Sequence, residues 1–252
     1  MHIFRASFVI SLFCLGGALC VTGLQAAEVK SPAELASGFP GIEEENIQDS
    51  PVPGLYQITL GSQVAYVTQD GRYLIKGELI DLDNSINLTE ASKTDARREL
   101  LTGLEQANMI VFAPRPPVKS KYSVTIFTDI DCRYCRTFHR GIEQVNQLGI
   151  EVRYMMYPVA GPGTASWQKA VEVWCAQDRS GAMTAAKSDS PFPVRECDAS
   201  QVNQQYDLAL KLGLRGTPTI LTERGDYLGG YMAPDELLRK LELAATTPPG
   251  TY

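Results

Sequence analysis

The chain has 252 residues, 44% of them hydrophobic and 21% charged, an ordinary globular composition that excludes a disordered chain and suits one or two domains. Against 29 acidic residues it sets 23 basic ones, and the formal charge of −6 excludes the broad basic surface that nucleic acid or an anionic membrane would require. Six cysteines are too few for a small disulfide scaffold, but two fall within the first 20 residues and four lie far downstream.

His2 and Arg5 precede an apolar run from Ala6 to Leu19, followed by Thr22-Gly-Leu-Gln-Ala-Ala27. These read as the n-region, h-region and small-residue cleavage site of a signal peptide over 1–26, with cleavage after Ala26 or Ala27. A run of about 14 residues is shorter than the roughly 20 that cross a bilayer, so no stable membrane anchor is expected. Leu19 before Cys20 is the wrong residue for lipidation. Export puts the four remaining cysteines in an oxidising compartment. It also removes one basic residue, Arg5, leaving a mature charge of −7.

Residues 27–86 read as strands at Leu55 to Leu60, Val64 to Thr68, Tyr73 to Lys76 and Glu78 to Leu82, with turns at Gly61-Ser62 and Asp70-Gly71. Pro32 to Ala36 can form a short helix, and Glu43-Glu44-Glu45 is a solvated charge run. About 60 residues bury little surface alone, so a second copy completing the sheet, a homodimer, is the physical expectation. Thr89 to Gln106 reads as a connecting helix with Thr89 as cap and a narrow stripe of Ala96, Leu100, Leu104 and Ala107. Pro114-Arg-Pro-Pro117 then marks a stiff hinge, so 87–118 is a linker.

The pattern changes over 119–246. Strand Tyr122 to Thr128, helix Cys132 to Leu148 ended by Gly149, and strand Ile150 to Tyr157 form a βαβ unit. Thr164 to Asp178 is a helix whose Trp167, Ala170, Val171, Trp174 and Cys175 share one core face. Another helix follows Asp198 as cap and ends at Gly213. Strands Thr219 to Leu221 and Tyr227 to Tyr231 flank Arg224-Gly-Asp226, read as a turn, and Pro234 opens a last helix to about Ala245. Residues 247–252 read as a frayed tail. The fold class expected is α+β, a small antiparallel-sheet domain joined by a helix to a second domain.

Cys132-Arg-Tyr-Cys135 directly follows a strand and opens a helix, the context of a redox dithiol. Unpaired N–H groups at a helix start favour an anion, so Cys132 is the expected attacking thiolate. Cys135 shares a face with Phe138, Ile142 and Val145, which turns it inward as the resolving thiol. Arg133 favours the thiolate while Asp129 and Asp131 oppose it, and spacing does not decide between them. A structural Cys132–Cys135 bridge competes with this reading. A zinc site lacks a second close ligand pair beside His139, which reads as a packed or surface histidine, and no metal is expected. Haem attachment would need His where Arg136 stands. Cys175 and Cys197 lack a CxxC neighbour and are assigned to a structural disulfide, with a second redox pair as the alternative; closing that loop is worth about 3 kcal/mol. Gly216-Thr217-Pro218, before a short strand, offers a Thr-Pro bond able to be cis and to present backbone to an extended substrate.

With the CxxC, the Thr-Pro and the closing helix, the region from Lys119 to Ala245 resembles a thioredoxin fold with a helical insertion around Cys175 to Cys197. Read with the leader, the small sheet, the linker helix and the run Phe127-Thr-Asp-Ile-Asp-Cys-Arg-Tyr-Cys135, the mature chain resembles the DsbC/DsbG family of periplasmic disulfide isomerases. The resemblance implies a V-shaped homodimer joined through the N-terminal domains, whose dithiol sites face a cleft. Misfolded disulfide-containing secreted proteins are the implied substrates, a DsbD-type membrane thiol reductase the implied electron donor, and chaperone activity an added property. No cofactor is implied beyond the cysteine pair, and Tyr134, Thr217 and Pro218 become substrate-contacting residues. The family usually has Gly where Arg133 stands and an uncharged residue where Asp131 stands, so its reduction potential is not carried over. A DsbG-like reductase and chaperone remains an alternative. A DsbA-like oxidase would use the same dithiol without the added sheet domain.

Overall fold

The computed structural model describes residues 28–251, and the leader expected at 1–26 lies outside them. Helix α1 (Pro32–Ala36) starts where a proline can sit without losing a hydrogen bond, and Ser31 and Glu34 cap its first turn reciprocally. Strands β1 (Ile47–Asp49), β2 (Leu55–Leu60), β3 (Gln63–Thr68) and β4 (Leu74–Ile75) follow as an antiparallel sheet in that order. Its core is small: Leu35, Ile47, Tyr56, Ile58 and Val67, with Phe39 and Ile42 against them. The edge strand leaves Leu74 48% and Ile75 44% exposed.

The segment expected as a further strand of that sheet is instead a separate hairpin, β5 (Ile80–Asp81) with β6 (Ile86–Asn87). It leads directly into α2 (Leu88–Leu101), whose cap is Asn87, accepting from Glu90 N at 2.9 Å. Thr89, expected as the cap, is buried, and its hydroxyl accepts from Leu79 N at 2.8 Å. The helix stops short of the expected Gln106 because Gly103 takes a left-handed φ of 81°.

In the second domain β7 (Ile110–Phe112), β8 (Tyr122–Thr128), β9 (Ile150–Met156), β10 (Thr219–Thr222) and β11 (Tyr227–Gly229) form one sheet in the order β11-β10-β8-β9-β7. Only β8 and β9 run parallel, joined by α3 (Arg133–Arg140) and α4 (Ile142–Gln147), which Gly141 separates where one helix was expected. Residues 110–112, placed in the linker from sequence, are thus the edge strand of this sheet, paired antiparallel with β9. Helices α5 (Ala165–Cys175), α6 (Arg179–Lys187) and α7 (Ser200–Lys211) precede β10, and α8 (Pro234–Thr246) closes the domain.

Both faces of the sheet are covered, so β8 is buried without a break from Val124 to Thr128, polar threonines included. Val124 and Ile126 face a core with Phe138, Val145, Trp174 and Leu237. Phe127 faces the opposite core with Met155, Ala209, Leu212 and Leu221, closed by Leu100, Leu101 and Leu104. The linker helix therefore ends packed on this five-stranded sheet. The hairpin tip between β2 and β3 docks on the C-terminal end of α7, with Ser62 N donating to Lys211 O at 3.0 Å and Ser62 Oγ to Leu212 O at 2.9 Å. Gly61 permits the approach, since a Cβ there would lie 2.1 Å from Lys211 O. The tail is not frayed as expected: Asn87 N donates to Gly250 O at 2.7 Å and Thr251 bridges to Ile86.

Candidate active site

Strand β8 delivers the chain to Cys132, which is the N-cap of α3. Its sulfur accepts from Cys135 N at 3.4 Å, one of the donors that a helix start leaves unpaired, and lies 3.2 Å from Thr217 O, to which it donates when protonated. Both cysteines of the CxxC are free thiols, Cys132 partly exposed and Cys135 fully buried. The pKa of Cys132 is lowered to about 5, first by a hydrogen bond from the Cys135 thiol, with further bonds from Thr217 and the N–H groups of Cys135 and Tyr134 outweighing burial. Burial pushes the Cys135 thiol well above the usual cysteine range, and its bond to Cys132 adds to this, while Lys187 opposes it.

The two acidic neighbours left undecided by spacing have separate duties. Asp131 is ion-paired to Arg136 at 3.0 Å and to Lys169 at 2.6 Å, so its charge is compensated before it reaches the sulfur. Arg136 also donates to Ile130 O at 2.9 Å and pairs with Asp189, tying the loop before the dithiol to the loop after α6. Asp129 is buried and braces the turn, accepting from Asp131 N at 2.8 Å, Val159 N at 3.1 Å and the Ser166 hydroxyl.

The Thr217-Pro218 peptide is cis and sits across from Cys132, so residues 85 positions apart meet at the sulfur. Tyr134 is 60% exposed, its ring stacked 6.0 Å from that of Tyr231. A cavity of about 530 Å³ runs beside Thr217 and Pro218, bounded by Ser62 of the hairpin tip, Arg97 of α2 and Tyr227. Tyr231 and Arg97 carry no motif, and only tertiary proximity brings them to the site.

Cys175 and Cys197 are disulfide-bonded with their Cα atoms 5.4 Å apart, linking the end of α5 to the segment before α7. His139 is buried, held by the Tyr154 hydroxyl at 3.1 Å and Thr184 at 3.0 Å, and burial together with Lys187 lowers its pKa to about 3. It is a packed neutral histidine. Among the described residues no group of three His, Cys, Asp or Glu side chains is placed to hold a metal ion. Sequence reasoning missed Lys187, the last residue of α6. It is only 4% exposed and donates to Thr128 Oγ1 at 2.9 Å and Asp129 O at 3.1 Å, directly behind the dithiol.

Residues 22–90 match the family model of the disulfide bond isomerase protein N-terminal domain, and residues 117–245 match a thioredoxin-like domain. The thiol:disulfide interchange protein DsbC of Haemophilus influenzae is 34% identical over 201 residues, 79% of this chain and 84% of that one. DsbC of Pasteurella multocida is 33% identical over 204 residues, 81% of this chain and 86% of that one. A crystal structure of a disulfide interchange protein from Neisseria gonorrhoeae aligns at 27% identity with a TM-score of 0.47, covering 54% of this chain and 97% of that one. An N-terminal sheet domain followed by a thioredoxin-like domain, over four-fifths of the length of such relatives, makes this chain a protein disulfide isomerase of the DsbC family of thiol:disulfide interchange proteins.

Proposed function

We propose that the Cys132 thiolate attacks an incorrect disulfide in a secreted substrate and forms a mixed disulfide, while Cys135 is the resolving thiol. The observation that carries this assignment is the asymmetry of the pair: Cys132 is reachable and ionised at neutral pH, whereas Cys135 is buried and protonated. A thiolate is the nucleophile, so attack begins at Cys132. Two exits follow. A substrate thiol attacks the mixed bond and completes a rearrangement with no net electron change, or Cys135 displaces the substrate and leaves it reduced for another attempt. Sulfur supplies all the redox chemistry, and the reading needs no cofactor.

Thr217, Pro218 and Tyr134 hold the substrate chain against the sulfur in this reading, the cavity beside Thr217 and Pro218 taking its backbone. The exposed β4 edge, with Leu74 and Ile75, pairs with a second copy, making a homodimer whose small N-terminal cores are completed across the interface. The protein works in the periplasm, is returned to the dithiol form by a DsbD-type membrane thiol reductase, and also acts as a chaperone on unfolded chains. Refolding of scrambled ribonuclease A in a glutathione buffer tests the central assignment. Cys132→Ala abolishes activity, whereas Cys135→Ala accumulates covalent enzyme–substrate complexes on non-reducing gels. The opposite pattern reverses the roles.

A further inference from the structure

A lysine that is almost wholly buried normally meets a carboxylate, because an uncompensated ammonium in the interior is costly. Lys187 does not. Among the described residues it makes no ion pair. Its nitrogen donates only to Thr128 Oγ1 and Asp129 O and lies 5.8 Å from the Tyr154 ring centroid. The Asp129 carboxylate is taken by Asp131 N, Val159 N and Ser166. The ionisable groups around the ammonium are Cys135, Cys132, Arg136 and His139 on α3, Asp129 after β8, and Tyr154 on β9. When ionised, the two sulfurs attract the ammonium more strongly than Asp129 does.

We propose that Lys187 is a positioning cation for the release step: its buried ammonium stabilises the Cys135 thiolate that expels substrate from the mixed disulfide on Cys132. This rests on Cys135 being the resolving thiol. In that step Cys135 loses its proton and its sulfur lone pair bonds to Cys132 Sγ. The bond between Cys132 and the substrate breaks with its electron pair on the substrate sulfur, which takes up the proton. The substrate gains two electrons, the protein dithiol loses two, and Lys187 stays protonated throughout. A cation is needed at that moment because burial holds the Cys135 proton tightly and Cys132, once in a mixed disulfide, is no longer an anion. In the dithiol form burial lowers the Lys187 pKa to about 8, with the sulfur charges opposing that fall, and the ammonium is charged at neutral pH.

An opposite charge nearby moves a pKa by about 1–3 units, and a more basic thiolate recovers about half of the lost rate through nucleophilicity, so losing Lys187 slows release by about 3- to 30-fold at pH 7. The reduced full-length protein is mixed with oxidised glutathione, and the Cys132–glutathione adduct is followed by acid quench and mass spectrometry. Lys187→Met removes the charge, and Lys187→Gln removes it while keeping hydrogen-bonding capacity toward Thr128 and Asp129. Both variants prolong the adduct by that factor and move the pH midpoint of release upward, while the attack step, measured in a Cys135→Ala background, slows less. Unchanged release, or attack and release slowed equally, overturns the proposal. If neither variant folds, the Lys187 Nζ titration followed by NMR in the unmutated protein decides: a lower midpoint in the disulfide form than in the dithiol form supports it, and equal midpoints overturn it. Failure of Cys135→Ala to trap the adduct would instead remove the resolving role itself.

Discussion

Removing the Cys135 thiol as Cys135→Ala deletes the leading cause of the low Cys132 pKa while leaving the helix N-terminus in place. A net hydrogen bond to a charged group is worth about 1.5–3 kcal/mol, and a pKa unit corresponds to about 1.4 kcal/mol, so the Cys132 midpoint rises by about 1–2 units. Starting from about 5, it reaches about 6–7. Because Cys132 is partly exposed, solvent screening favours the lower end of that range. At pH 6 the thiolate fraction then falls from about nine-tenths to between about one-half and one-tenth. Absorbance at 240 nm and the rate of iodoacetamide alkylation, both followed from pH 3 to pH 9 on the reduced proteins, measure it. The sign has a thermodynamic counterpart. A thiol whose pKa is depressed on folding contributes stability that is fully present above the unfolded value, near 9, and is lost as the pH falls through about 5. The reduced wild-type protein therefore gains thermal stability relative to its Cys132–Cys135 disulfide form as pH rises across that window, and Cys135→Ala narrows the window from below. An alkylation midpoint in Cys135→Ala equal to or lower than that of the wild type would refute the hydrogen-bond account and leave the helix terminus as the cause.

Other perturbations separate the remaining claims. Replacing Cys175 and Cys197 by alanine opens a link between residues 22 apart and costs about 3 kcal/mol in urea unfolding, with no change in the Cys132 alkylation midpoint; a changed midpoint would couple this bridge to the redox site. Asp131→Asn frees Lys169 but leaves Arg136 its Asp189 partner, so the Cys132 midpoint moves by less than about 0.7 unit in alkylation. A larger fall would mean that the Asp131 charge does reach the sulfur. Light scattering on the mature protein gives a dimer at micromolar concentration, and Ile75→Lys, which puts a charge on the exposed β4 edge, shifts it to monomer. A wild-type monomer would remove the proposed interface.

Much of the site is local, and local features are legible. Cys132 caps a helix because a strand ends just before it, and Cys135 points inward because it lies three, seven and ten residues ahead of Phe138, Ile142 and Val145, all buried with it. The pairing of β2 with β3 follows from alternation around a Gly-Ser turn, and the fold class follows from the change of pattern near residue 119. Sequence therefore placed the two CxxC thiols at the start of a helix, with Cys135 turned inward and Cys132 left at its cap.

What it did not determine depends on contacts between distant segments. The family resemblance implied a helical insertion around Cys175 to Cys197, but residue patterning alone did not locate α6, because Arg-Ser-Gly-Ala-Met-Thr-Ala-Ala-Lys holds a glycine and a thin stripe of small apolar residues, and its Asp178 cap is the main local signal. With it went Lys187, whose position behind Cys135 exists only once α6 packs on α3. Three residues at 110–112 carry too little periodicity to declare an edge strand until β9 offers its hydrogen bonds. The tail looked free because nothing in it signals that Gly250 and Thr251 meet Asn87 and Ile86. Whether Asp131 opposes the thiolate was settled by Arg136 and Lys169 reaching it from two helices. The proposed nucleophile sits in a motif of four residues, but the charges and backbone groups around its sulfur come from segments tens of residues away, and only burial and hydrogen bonding in the folded state bring them there.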